Sequence, residues 1–257
     1  MAGRSSSGVQ MAPSVTEQSV LLQEAVHSLS VEVLKAAASD SALTEDLALA
    51  LLKRADLQPE VLEQLSKNGS VMKGRKLKLA VVQHPATPRH VSLPMLRHLF
   101  TFDLMQVALT PLVPADIKRA ANDVLITRVE TIAVGQRLTL ARRASGQVAG
   151  MLLLDTEARV IHAALENSRL TESMLIKALM RSAAPAALVA AASHHAKWSL
   201  RREIRIALLR NEKTPLARAL EFARSLPPAL VREILHGSRL PARVKACLLK
   251  EIEQRGG

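Results

Sequence analysis

The sequence predicts an all-α fold, and three observations carry the prediction. Leu, Ala and Val dominate the 48% of apolar residues, while aromatics amount to 2% and Tyr is absent. That composition suits close helix packing and argues against a β-sandwich or barrel. The stretch Leu77 to Pro88, LKLAVVQHPATP, returns 127 positions later as Ile204 to Pro215, IRIALLRNEKTP. In each copy an apolar helical stripe ends in a polar residue, His84 or Asn211, and two solvated residues lead into Thr-Pro. Corner prolines, finally, follow the same rhythm in both halves: Pro59, Pro88 and Pro114 are spaced by 29 and 26, and Pro185, Pro215 and Pro241 by 30 and 26.

Local chemistry assigns each corner residue a role. Asn at a helix end tolerates the left-handed conformation, Thr87 or Thr214 is expected to cap the next helix, and Pro88 or Pro215 suits its first position. Lys76 to Leu79 and Glu203 to Ile206 alternate with period two, as a half-buried strand would. The unbroken runs Ala80-Val81-Val82 and Ala207-Leu208-Leu209 that follow favour helix instead.

Taken in order, residues 1–14 are Ser, Gly and Pro rich and read as a disordered tail. Structure begins near Thr16, where Val20, Leu21, Ala25 and Leu29 form one stripe. Ser30 is placed to cap a second short helix from Val31 to Ala38. Residues 15–123 make a first helical half and 154–257 a second, with Leu43-Thr44-Glu45 recurring as Leu170-Thr171-Glu172. The bridge, 124–153, reads as two more helices punctuated by Gly135 and Ser145-Gly146, with Leu138, Ala141, Val148, Met151 and Leu152 on buried faces. Units of this size, each burying a face against its neighbour, stack as an α-solenoid with a concave surface for partners.

Charge is uneven along the chain. Net charge is −1 over residues 1–26, +2 over 27–123, +3 over 124–153 and +8 over 154–257, for +12 in all. Partners bearing phosphates or carboxylates would be drawn to the later part. Basic residues also fall at matching points, Lys73, Arg75, Lys76 and Lys78 in the first half and Arg201, Arg202 and Arg205 in the second. These are the candidate partner-binding patches, against the plainer reading of a solvated face with snorkelling side chains. Phe100, Phe102, Phe222 and Trp198 are the whole aromatic inventory, which disfavours single-strand binding and leaves duplex backbone contacts open.

Catalytic, cofactor and metal sites are not expected. A single cysteine, Cys247, rules out an internal disulfide or a four-cysteine metal site, and its neighbours Val244 and Leu248 read it as a small buried hydrophobe. His194 and His195 point about 100° apart on a helix and cannot chelate one ion together; they read as a C-terminal turn, opposite Asn68 and Gly69. His90 and His98 are separated by Pro94, which is expected to interrupt their helix. No glycine-rich phosphate loop, nucleophile elbow or carboxylate pair is present. No apolar run suits a signal peptide or a membrane span, so a cytoplasmic compartment is expected.

The corners HPATP, NEKTP and NSRLT after apolar helices resemble those of the bacterial leucine-rich repeat variant proteins and, more loosely, HEAT-like repeats. The resemblance spans roughly residues 31–250 and implies a right-handed α-solenoid that binds other macromolecules. It carries no catalytic residue across. The repeats here are longer, and the cysteine cluster of the founding member is missing, so no iron-sulfur site is expected. HEAT-like alkylation-repair glycosylases are also basic solenoids, but their cleft needs several aromatics, and Trp198 has no second Trp. The expectation is therefore a non-enzymatic scaffold for a protein partner, with duplex nucleic acid as the alternative.

Overall fold

The computed structural model describes residues 15–256, and all of its regular structure is helical. The tail read at 1–14 lies outside the described residues. The helices are α1 (Val15–Val26), α2 (Val31–Ser39), α3 (Glu45–Leu51), α4 (Pro59–Lys67), α5 (Arg75–Gln83), α6 (Arg89–Leu96), α7 (Thr101–Leu109), α8 (Ala115–Arg128), α9 (Val134–Arg143), α10 (Gly146–Leu152), α11 (Ala158–Leu165), α12 (Glu172–Leu179), α13 (Ala186–His194), α14 (Arg202–Leu209), α15 (Leu216–Arg224), α16 (Pro228–His236) and α17 (Ala242–Gly256). The segments with strand-like alternation lie in α5 and α14, because the apolar run after each alternation continues a helical face.

The chain divides into two compact units, one ending at Ala121 and the other beginning at Asn122. The bridging helices α9 and α10 pack with α11 and α12 in the second unit. Helix bounds recur at the sequence offset of 127: α4 and α13 match at both ends, as do α7 and α16. Within each unit a helix packs on the one two places along, α2 on α4, α3 on α5 and α5 on α7, then α9 on α11 on α13 and α10 on α12 on α14. Val61, Leu62, Leu65, Leu77 and Val81 fill the first core, and Leu140, Ile161, Leu175, Ile204 and Phe222 are buried in the second unit.

The corners differ from the sequence reading in a way that explains this packing. Among the described residues none has a positive φ, glycines included, and His84 ends its helix in extended backbone at φ −72°. Pro88 and Pro215 occupy the N-cap positions themselves. Thr87 and Thr214 therefore cap nothing downstream. Their hydroxyls donate backward at 2.6 Å, to Val81 O and Leu208 O, and close the helix just finished.

The polar residue at the helix end reaches farther. Asn68 Nδ2 donates to Ala38 O and Asp40 O at 2.9 and 2.8 Å. Asn167 Nδ2 donates to Ala141 O at 2.8 Å, Asn211 Nδ2 to Leu179 O at 2.7 Å and Ser238 Oγ to Leu209 O at 2.7 Å. His84 does likewise: Nδ1 accepts from Ala86 N at 3.2 Å, so Nε2 carries the proton and donates to Arg54 O at 2.9 Å. Each acceptor lies at or just beyond the end of the helix two places earlier, or within its last turn, where carbonyls lack an intrahelical partner. The same side chains accept from the N–H two residues on, at Ser70, Arg169 and Lys213, and so tighten the corner.

Other expectations are corrected by position on a helix. Ser30 stands at the N-cap of α2 without a side-chain cap bond. Cys247 is exposed, because α17 turns Leu248 and Ile252 inward. Pro94 lies inside α6 rather than ending it. Gly135 lies within α9, Leu138 is half-buried, and Met151 is 38% exposed while Val148 and Leu152 are buried.

Candidate partner-binding surfaces

The seven basic residues singled out by sequence are divided by the structure between packing and solvent. Arg75 grips Asp103 with two hydrogen bonds of 2.8 Å, from Nε and Nη2. Its guanidinium carbon also sits 4.7 Å from the centre of the Phe100 ring. The Asp103 hydrogen bond raises the Arg75 pKa further above its ordinary value. Arg205 Nε donates to Ser199 O at 2.7 Å, and its guanidinium lies 5.9 Å from the Phe222 ring. Two of the seven thus hold elements together. Lys73, Lys76, Arg201 and Arg202 are exposed, and among the described residues they have no ion-pair partner.

Lys78 is half-buried and lines a cleft of about 510 Å³ in the first unit, with Lys67, Glu63, His90 and His98. His90 lies in the first turn of α6 and His98 just beyond its end. Lys67 holds the Glu63 carboxylate below the usual range through a 2.8 Å hydrogen bond.

The surface that sequence reasoning missed lies in the second unit, where the end of α8 and helices α10 and α12 converge. Two adjoining clefts, of about 350 and 510 Å³, share Ile126, Met151, Leu154 and Arg181. Met174 and Ala178 complete the floor of the first. Close helix approach creates this surface. Gly146 admits the backbone of the corner before α12, since a Cβ there would stand 2.3 Å from Arg169 O. Gly150 faces Met174 across the same seam, with a Cβ position 3.5 Å from Met174 Cβ. Thioethers and branched chains then line the opening in place of a filled core.

Charged groups edge these clefts. Lys177 and Arg181 are exposed, and their side chains make no hydrogen bond or ion pair among the described residues. Arg137 lines the second cleft but is committed to Asp155, Nη1 to Oδ2 at 3.1 Å, with side chains 16% and 1% exposed. Asp155 Oδ1 also accepts from Glu157 N at 2.8 Å. Glu130 is the acidic residue that remains on the edge, and it is exposed.

A third opening, of about 580 Å³, has an alanine floor edged by His162, Glu166, His194 and His195. The helix bounds pair Asn68 with His195, one residue along from the sequence alignment, and both follow the last residue of their helix. His195 Nδ1 accepts from Lys197 N at 3.1 Å, and Nε2 lies 3.1 Å from Glu166 Oε1 outside hydrogen-bonding geometry. Among the described residues no group of three His, Cys, Asp or Glu side chains is placed to hold a metal. Trp198, 2% exposed, donates its indole N–H to Leu165 O at 2.9 Å and lines none of these openings. No described helix is long and apolar enough to cross a membrane. No protein-family model, curated protein or solved structure matches this chain.

Proposed function

We propose that this chain is a non-enzymatic helical repeat scaffold that binds another protein, each unit being a right-handed α-solenoid of the HEAT-like kind. The packing of each helix on the one two places along supports the stacked reading. The observation that carries the binding role is the open, thioether-lined surface around Met151 and Met174, with cationic side chains on its edge. Flexible methionines on an exposed groove accommodate apolar side chains of varied shape.

Capture of partners by the full chain, compared with its Met151→Glu variant in about 0.2 M salt, tests the reading. A discrete protein retained by the wild type and lost from the variant, with helicity unchanged, supports it. The same partners on both chains would overturn this surface as the binding site.

Duplex nucleic acid is the second reading, favoured by Lys73, Lys76, Arg201 and Arg202 standing exposed. Anisotropy of labelled duplex DNA at about 50 and 200 mM salt decides it: affinity lost by orders of magnitude between the two, and abolished by glutamate at 201 and 202, would replace the scaffold reading. Arg205 is left intact in that test because it packs internally.

A further inference from the structure

We propose that the cleft between α8, α10 and α12 receives an amphipathic helical segment of a partner protein, and that Arg181 catches an acidic residue on that segment. The proposal rests on the scaffold reading and names its partner. Its evidence is a comparison of the two units at the 127-residue offset.

The counterpart of Arg181 is Arg54, which is fully engaged. Arg54 Nη1 donates to Val26 O and Ser28 O at 2.9 and 2.7 Å, while Nε and Nη2 grip Asp56 at 3.0 and 2.7 Å. That side chain closes the end of α1 against α3. At the position matching Asp56 the second unit has Ala183. The internal carboxylate is gone, and Arg181 stands exposed at the junction of the two clefts, its guanidinium making no hydrogen bond or ion pair among the described residues.

Neighbouring positions differ in the same direction. Glu24 is matched by Met151, and Ala50 by Lys177. One change removes an acid and supplies an apolar anchor, and the other adds a cation. The result is a surface more apolar and more positive than its counterpart, with the Arg137 charge already neutralised by Asp155. An arginine with five fixed donors and no internal acceptor suits bidentate capture of a carboxylate.

The apolar floor selects between anionic partners. A nucleic acid backbone would leave Ile126, Met151 and Met174 without complementary surface, whereas the stripe of an amphipathic helix, spaced i, i+3, i+7, fills such a floor. Clefts of about 350 and 510 Å³ accept a few side chains of Leu or Met size.

The probe is a fluorescein-labelled helical peptide with leucines at i, i+3 and i+7 and flanking glutamates, beside versions carrying glutamine and lysine in place of glutamate. With the full chain, the glutamate peptide binds best. Arg181→Gln weakens it about tenfold while leaving the glutamine peptide's affinity unchanged, and Met151→Glu weakens both. Circular dichroism confirms that both variants remain folded. Equal affinity of wild type and Arg181→Gln for the glutamate peptide overturns the proposal, as does a preference for the lysine peptide. Self-association of the chain that Met151→Glu abolishes also overturns it, by assigning the cleft to a second copy. Failure of all three peptides overturns the proposal while leaving the scaffold reading, which falls separately to salt-steep duplex binding.

Discussion

The indole N–H of Trp198 donates to the carbonyl of Leu165 at 2.9 Å. At the matching place in the first unit, 127 residues earlier, the carbonyl of Ala38 receives the amide of Asn68, also at 2.9 Å. Different side chains, from positions three residues apart in the corner, satisfy the same buried end of a helix. The conserved physical requirement is the orphan carbonyl.

Replacing Trp198 with Phe keeps most of the buried volume and deletes the donor. The expected loss is about 1–3 kcal/mol, the cost of a buried carbonyl left without a partner. Denaturant titration followed by circular dichroism measures it, since the change also removes the single tryptophan. An unchanged midpoint would show that water replaces the indole.

Thr214 separates two mechanisms at the corner. A hydroxyl donating backward to Leu208 O predicts that Thr214→Val loosens the end of α14, at about 1 kcal/mol, and that Thr214→Ser restores it. A forward cap would instead loosen the start of α15. Hydrogen exchange at the Asn211 amide, which bonds to Leu208 O, and at the first amides of α15 distinguishes the two.

Two glycines are expected to respond oppositely to alanine. Gly146→Ala drives a methyl to 2.3 Å from a backbone oxygen, so α10 must shift and the melting temperature falls. At Gly135, inside α9, a Cβ meets nothing within 4 Å. Alanine there gains helix propensity, by about 0.5 kcal/mol. Thermal melts of the two variants check both signs.

Acid should weaken the first unit through its exposed ion pairs. Hydrogen bonds from Arg54 and Lys67 hold Asp56 and Glu63 below the usual carboxylate range. A carboxyl depressed in the folded state contributes stability above its unfolded pKa and loses it as pH falls through the folded value. The decline therefore begins near pH 4 to 4.5 and continues downward. Lys67→Gln should flatten that slope and about 0.5 M salt should blunt it, both read from melting temperature against pH.

Much of the fold was legible because it is written locally. The apolar stripe of Leu77, Ala80 and Val81, the Thr-Pro corners and the 127-residue echo all involve residues within a turn or two of one another, and helix formation answers to that range. The same locality misassigned Thr87 and Thr214, because a threonine before proline presents one pattern whether its hydroxyl points forward or back. The candidate site was less legible. Arg75 and Arg205 looked like two more surface cations beside Arg201 and Arg202, and nothing near Arg75 in sequence announces Asp103, 28 residues away.

By itself, then, the sequence determined that the chain is helical, roughly where its helices lie and that the corner motif recurs 127 residues on, since proline geometry and apolar spacing act within a few residues. Only the tertiary structure decided which polar side chain clamps which earlier helix, which cations are withdrawn into packing, and that Met151 stays in water beside an uncommitted Arg181. Those outcomes depend on groups roughly one helix pair apart along the chain meeting in space. A side chain's free energy there is set by the partner it finds, which spacing along the sequence does not specify.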